Sequence, residues 1–166
     1  MRILFKPIGY VRVDAPDGVV KEKWENLTSK IEVLKEFEEA LDGIEGFSHI
    51  IVLCYLHKIG ERRILKVKPR RLVKMGVKLE ELPLVGVFAT DSPARPNPIA
   101  LSVVQLVGRN RNILTVRGLD AFNATPVLDI KPYTPDRCVV EFKLPKWYTD
   151  LLSKIEKLTG RKLKGI

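Results

Sequence analysis

The longest uninterrupted apolar run in the chain is Ile50 to Leu56, seven residues. That is far short of a membrane-spanning helix. With His49 and His57 at its ends, it reads as a strand that is apolar on both faces and therefore buried on both. Shorter strand signals surround it, separated by turn residues. Ile3 to Val13 is extended in character but interrupted by Pro7 and Gly9, which suggests a bent or edge strand. Residues 14–28 are polar and carry the turn pair Asp17-Gly18. Ile31 and Val33 mark a short strand extending toward Phe37, and Glu36 to Leu41 a helical turn ending at Gly43. Arg62 to Lys68 alternates imperfectly, residues 69–83 read as a loop, and Val85 to Ala89 as a short strand. Ile99 to Val107 and Ile113 to Arg117 flank Asn110-Arg111-Asn112 as a hairpin. Val127 to Lys131 and Val139 to Lys143 complete the set.

Short strands at this spacing argue for a barrel or a sandwich. Beyond Pro145 the period changes. Trp147, Leu151, Leu152, Ile155 and Leu158 share one helical face up to Gly160. The expected architecture is mainly β: a small barrel over residues 1–143, with a basic amphipathic helix over 144–166 packed on it. A chain of 166 residues is a prior for one domain. Two cysteines, Cys54 and Cys138, make neither a disulfide framework nor a zinc pattern. No metal is expected, no membrane, and a reducing cytoplasm is the expected location.

Charge points to a partner. The formal net is +9. Residues 58–81 carry nine basic against three acidic side chains, and residues 143–166 seven against two. Two basic clusters on a near-neutral remainder suggest a polyanion. The plainer alternative is a lysine-rich solvated surface of a heat-adapted protein.

No dinucleotide, nucleotide-phosphate or nucleophile-elbow motif is present, so those enzyme classes have no support. His49 and His57 are the only histidines. Their even separation places them on one strand face, and His57 ends the apolar run where a strand leaves the core. Residues 89–98 read ATDSPARPNP. Three prolines restrict this loop, which displays Asp91, Ser92, Arg95 and Asn97 with little entropy left to lose. A second segment, Gly118 to Tyr133, offers Asp120 and Asn123 in a turn, followed by a strand. In that strand Val127, Asp129 and Lys131 should share a face, and Asp129 and Lys131 can pair.

Three stretches, GFSHIIVLCYLHK at 46–58, VGVFATDSPARPNPIALS at 85–102 and GLDAFNATPVLDIKPYTP at 118–135, with the opening KPIGYVR at 6–12, resemble the TrmO (TsaA-like) tRNA methyltransferases. The resemblance covers roughly residues 1–143. It implies a β-barrel that binds S-adenosyl-L-methionine, a homodimer with the site near the subunit interface, and methylation of N6 of threonylcarbamoyl-modified adenosine next to the tRNA anticodon. Carried over residue by residue, the cofactor pocket would include His57, Lys58, Asp91, Leu101, Asp120, Ala121, Phe122 and Asn123. Backbone groups of Leu101 and Ala121 would serve the adenine edge. Asp120, Asn97 and Arg95 would form the catalytic set. Arg62, Arg63, Arg70, Arg71 and Lys131 would hold the anticodon arm. Two departures stand out: Asp91 replaces an arginine usual in the family loop, and residues 14–28 lack a Pro-x-Gln element common among relatives.

The chemistry is compatible. A sulfonium is stabilised by a nearby carboxylate such as Asp120 or Asp91, and adenine stacks on an aromatic such as Phe122 or Tyr133. The exocyclic nitrogen is a poor nucleophile, so catalysis should rest on in-line positioning with a proton acceptor at hand. Asp120, Asp129 and His57 are equal candidates for that acceptor. Two other classes remain open: a non-catalytic RNA-binding barrel, and a regulator that binds the cofactor without modifying anything.

Overall fold

A computed structural model describes residues 3–60 and 64–160. In chain order its elements are β1 (Gly9–Arg12), α1 (Asp17–Lys23), β2 (Thr28–Val33), β3 (His49–Tyr55), β4 (Lys66–Val67), β5 (Val85–Gly86), β6 (Ile99–Asn110), β7 (Ile113–Arg117), β8 (Pro126–Pro132) and α2 (Lys146–Thr159), with short 3-10 turns between them. The expected barrel with a C-terminal helix is what forms. The chain divides into two compact units, Met1–Gly60 with Asn97–Arg137, and Glu61–Pro96 with Cys138–Ile166.

The first unit is a closed six-stranded barrel in the order β1-β2-β7-β6-β3-β8. All its neighbours are antiparallel, and β8 closes it on β1. In β3 the two-residue period sends Ile50, Val52 and Cys54 to the interior, and Ile51 on the other face is buried as well. The expected burial of both faces holds only in part: the outer face is buried at Ile51, while Tyr55 on that face is 44% exposed. Burial pushes the Cys54 thiol up to about 12, so it remains protonated and acts as core packing. Gly9 is required by close approach, because a Cβ there would lie 2.5 Å from the Glu32 carbonyl oxygen of β2.

One residue of β8 is bulged. Leu53 faces Asp129 and Cys54 faces Val127, so Leu128 has no partner in the register. The strand's alternation shifts there. Val127 is fully buried and Ile130 packs against the core, so Val127 does not share a face with Asp129 and Lys131. The expected pairing of those two is present, at 2.6 Å. The hairpin of β6 and β7 turns through Arg111-Asn112, with Arg111 at φ 54°, and runs three residues further along β6 than Val107.

Several strand expectations contract. Only Gly9–Arg12 of the first segment is a strand, because Ile3 to Phe5 lie exposed. The polar stretch 14–28 contains α1. Pro16 sets its entry angle, Asp17 lies in the first turn and Lys21 and Lys23 in the last, all favourable to the helix dipole, and Val20 is buried. Phe37 belongs to a 3-10 turn, Lys35–Leu41, in place of the strand. Val139 to Lys143 form no strand; Val140 is 83% exposed.

The second unit has its own core. β4 and β5 pair as a ribbon. Residues 69–83, expected to be a plain loop, form two 3-10 turns, Arg70–Met75 and Leu79–Glu81. Their segment buries Leu72, Val77 and Leu82 against Leu151 and Ile155 of α2. The helix runs between its expected stops, with Pro145 before it and Gly160, at φ 66°, after it. Lys154 ties it to Glu81 at 2.6 Å. No described helix is long and apolar enough to cross a membrane.

Candidate functional site

Polar groups from distant parts of the sequence meet at one end of the barrel. There β3 runs out and β6 begins, and the Leu56 amide donates to the Pro98 carbonyl at 2.7 Å. The chain leaving β3 makes a 3-10 turn, His57–Ile59, which exposes His57 and Lys58. Lys58 Nζ donates to Asp17 Oδ2 of α1 at 2.6 Å and lies 5.2 Å from the centroid of the Phe122 ring. A cation at that range over a ring face is attracted to it.

The 120–125 turn is stitched to β1. The Val11 amide donates to the Thr125 carbonyl and the Ala124 amide to the Val11 carbonyl, while the Val13 amide donates to Asn123 Oδ1 at 3.3 Å. Ala124 sits at φ 63°, a conformation a residue with a Cβ adopts only when its surroundings impose it. Leu119 and Ala121 are buried on either side of Asp120, which directs the Asp120 carboxylate outward. A surface depression of about 330 Å³ between Arg12, Asp14, Thr28, Lys30 and Asn123 adjoins this turn.

Leu101 is the third residue of β6, opposite Leu53, and is 65% exposed. β7 joins β6 only from Gln105 onward, so the flank of residues 99–104 away from β3 has no strand partner among the described residues. Backbone groups there are open to a ligand.

Other candidates are separated from this cluster. β8 carries Phe122 before its start and Tyr133 after its end, so the two stacking candidates sit at opposite ends of the barrel. Tyr133 bonds to the His49 carbonyl. His57 has left the strand altogether, so the two histidines do not share a face. Asp129 and Lys131 line the larger depression, about 360 Å³, with Ile8, Phe37, Ile44 and Phe47, at the His49 end. It is the roomier hollow, yet it holds none of the turn residues, so we place the candidate site at the other end.

Asp91 and Arg95 belong to the second unit, where Asp91 is exposed. Arg95 is half-buried and Nη2 donates to the carbonyls of Val87 (3.3 Å) and Thr90 (3.0 Å). Its guanidinium thus braces the loop that bears it. Arg70 and Arg71 are exposed on a 3-10 turn; Arg62 and Arg63 lie outside the described residues. No group of three His, Cys, Asp or Glu side chains that could hold a metal occurs among the described residues. Sequence reasoning missed Asp17, whose partner is 41 residues away and leaves no local signal.

Comparison with known proteins adds a context. Residues 15–137 match the family model of the tRNA-methyltransferase O N-terminal domain. A probable S-adenosyl-L-methionine-binding protein of Methanothermobacter thermautotrophicus is 42% identical over 82% of this chain and 93% of its own length. Another, of Pyrococcus abyssi, is 39% identical over 95% of this chain and 82% of its own. The mouse tRNA (adenine(37)-N6)-methyltransferase is 34% identical over 81% of this chain, which spans only 31% of it. Two crystal structures of TrmO superpose with TM-scores of 0.67 and 0.65, at 33% and 31% identity. The second is from Pseudomonas aeruginosa. They cover 87% and 86% of this chain, and the chain spans 64% and 62% of theirs.

Proposed function

The chain belongs to the tRNA-methyltransferase O family, and on that premise we propose that it is an S-adenosyl-L-methionine-dependent methyltransferase acting on N6 of an adenosine in tRNA. The observation that carries this reading is the barrel end itself. A half-buried aromatic and an outward carboxylate lie there on a turn bonded to β1, and β6, with its unpaired flank, begins at the same end.

These residues fit the cofactor. The Phe122 ring offers a flat apolar face for adenine. The backbone at Ala121 and along the free flank of Leu101 offers hydrogen bonds to its edge. When bound, S-adenosyl-L-methionine supplies an electrophilic methyl group on a positively charged sulfur. The chain's own part is positioning and charge. Asp120, held outward between two buried neighbours, places a negative charge at the site and can take the proton released by the exocyclic nitrogen. Asp129 is less suited, because it lies along the barrel from the turn. Asn97, in a three-residue turn with Ile99, presents an amide beside the Leu56–Pro98 contact. His57 and Lys58 line the rim, and Lys58 is kept over Phe122 by Asp17. Arg95 holds its own loop in shape through the carbonyls of Val87 and Thr90.

The proposal extends to finer points. The target is threonylcarbamoyl-modified adenosine beside the anticodon, the anticodon arm is the docking element, and the working place is the cytoplasm. The working form is a homodimer, a reading supported by an outward apolar strip on β3 and β6. Leu53, Tyr55, Leu101 and Val103 lie there in neighbouring registers, and the last three are 44–65% exposed.

Two measurements test this. Calorimetric titration with S-adenosyl-L-methionine should give saturable binding. Incubation with the cofactor and tRNA from cells lacking the gene should then add one methyl group to a modified adenosine, read by nucleoside mass spectrometry. Binding without methyl transfer would leave the regulator; RNA binding without cofactor binding would leave the non-catalytic module. Sedimentation giving a mass near 18.9 kDa at micromolar concentration would refute the dimer.

A further inference from the structure

The net charge is segregated. The barrel unit holds thirteen basic and thirteen acidic residues, and the second unit sixteen against seven, so the whole excess of +9 belongs to the second unit. That unit also carries Phe88, whose side chain is 79% exposed. Exposure alone does not single it out, since Leu65, Leu84, Val140 and Phe142 of the same unit are 60–83% exposed as well. The backbone beneath it does.

Phe88 is the middle residue of the 3-10 turn Val87–Ala89. Val87 before it is buried at 1% exposure, and its peptide groups are heavily engaged. The Val87 amide donates to the Leu65 carbonyl at 2.9 Å. The Val87 carbonyl accepts from the Thr90 amide (3.2 Å), from Thr90 Oγ1 (3.0 Å) and from Arg95 Nη2 (3.3 Å). Thr90 Oγ1 in turn accepts from the Ser92 amide at 3.2 Å. The turn is thus locked from both sides while the ring points to solvent, and its neighbours Gly86 and Ala89 are small and exposed. A rigid pedestal holding a two-torsion aromatic loses little entropy when a partner stacks on it.

We propose that Phe88 is a stacking platform for an unpaired base of the RNA substrate, presented by the unit that carries the protein's positive charge. The inference rests on the RNA-substrate reading above and deepens it. Charge draws in the phosphate chain without regard to sequence. A flat apolar ring then discriminates a splayed base from one stacked inside a duplex, since only the former has a face to offer. The ring carries no polar atom, so it reads exposure of the base and not its identity.

The test uses the full chain and its variants Phe88→Ala, Phe88→Leu and Phe88→Trp. The probes are an RNA hairpin with an open loop, carrying 2-aminopurine in that loop, and a blunt RNA duplex of equal charge. Phe88→Ala and Phe88→Leu should bind the hairpin about fivefold or more weakly, and Phe88→Trp like the parent. Binding of the duplex should be unchanged across the series. The parent and the tryptophan variant should alter 2-aminopurine fluorescence, and the alanine variant should not. Equal hairpin affinities and equal fluorescence in all four proteins would overturn the inference. So would a fall in sedimenting mass on Phe88→Ala, which would make Phe88 a protein contact. If the parent methylates tRNA while Phe88→Ala matches it in every respect, only this inference fails. If the parent binds no RNA, the RNA-substrate reading fails with it.

Discussion

Phe122 and Lys58 offer the sharpest test of which end of the barrel works. Consider Phe122→Leu, Lys58→Met and the two together. The Lys58–Asp17 pair is 2.6 Å long, with side chains 42% and 44% exposed. At that exposure an ion pair contributes only about 0.2–1 kcal/mol. The Lys58 cation lies 5.2 Å from the ring centroid. Near the surface such a contact is worth about 0.5–1 kcal/mol. Stability should therefore fall by less than about 2 kcal/mol in any of the variants, since leucine keeps most of the apolar bulk. Cofactor binding should respond on a different scale. If the ring stacks on adenine, its loss costs about 1–3 kcal/mol, or roughly fivefold to more than a hundredfold in Kd. Lys58→Met should weaken binding less than Phe122→Leu, because the ring remains. Calorimetric titration with S-adenosyl-L-methionine gives the Kd, and urea midpoints show that every variant is folded. A folded Phe122→Leu protein with a Kd within about twofold of the parent would refute the placement.

Gly9→Ala should destabilise the barrel by about 1–3 kcal/mol or more, because the new Cβ would meet backbone of β2, which cannot swing away as a side chain can. A urea midpoint equal to the parent's would show that β1 and β2 separate easily. Glu81 is held below the usual carboxylate range by its hydrogen bond from Lys154 and then by the Lys78 amide. A lowered folded pKa gives stability that is present above the unfolded value and lost as the pH falls through the folded one. Amide protection in α2 should therefore fade on the acid side, and Lys154→Met should weaken that dependence; an identical acid limb would count against the pair. Arg70→Ala and Arg71→Ala should each lower the log–log salt slope of tRNA binding by about one, if each neutralises a phosphate. An unchanged slope would make this turn ordinary solvated surface.

Much of the fold is legible where a local period and its stop signals agree. α2 is one such case, because Leu151 and Ile155 recur at helical spacing between Pro145 and Gly160. β3 is another, because the alternate residues Ile50, Val52 and Cys54 of its apolar run fill the barrel. Residues 69–83 failed that test for a physical reason. Leu72, Val77 and Leu82 are spaced five apart, which matches neither a strand nor a helix, and they become a core only when α2 supplies the facing side chains. Val139 to Lys143 failed in the opposite sense: the segment has strand composition but pairs with no strand, and Val139 and Val140 lie exposed. A single bulge at Leu128 moved Val127 away from the face of Asp129 and Lys131.

For the candidate site, the proline-rich loop stood out through residues that restrict its backbone, whereas the 120–123 turn by itself read as ordinary turn chemistry. The resemblance of three motifs told which chemistry to look for. What no local pattern carries is which distant segments meet. Strand order brings His57, Asn97 and Phe122 to one end of the barrel and carries Tyr133 to the other, and it sets Asp17 against Lys58 across 41 residues. The local order of residues determined that the chain would be basic, mainly β and finished by a helix, because charge, period and turn chemistry are properties of neighbouring residues. The closure of the barrel, the bulge that redirects β8 and the confinement of all net charge to one unit were decided only in three dimensions, because each depends on pairing between strands or on which segments share a core.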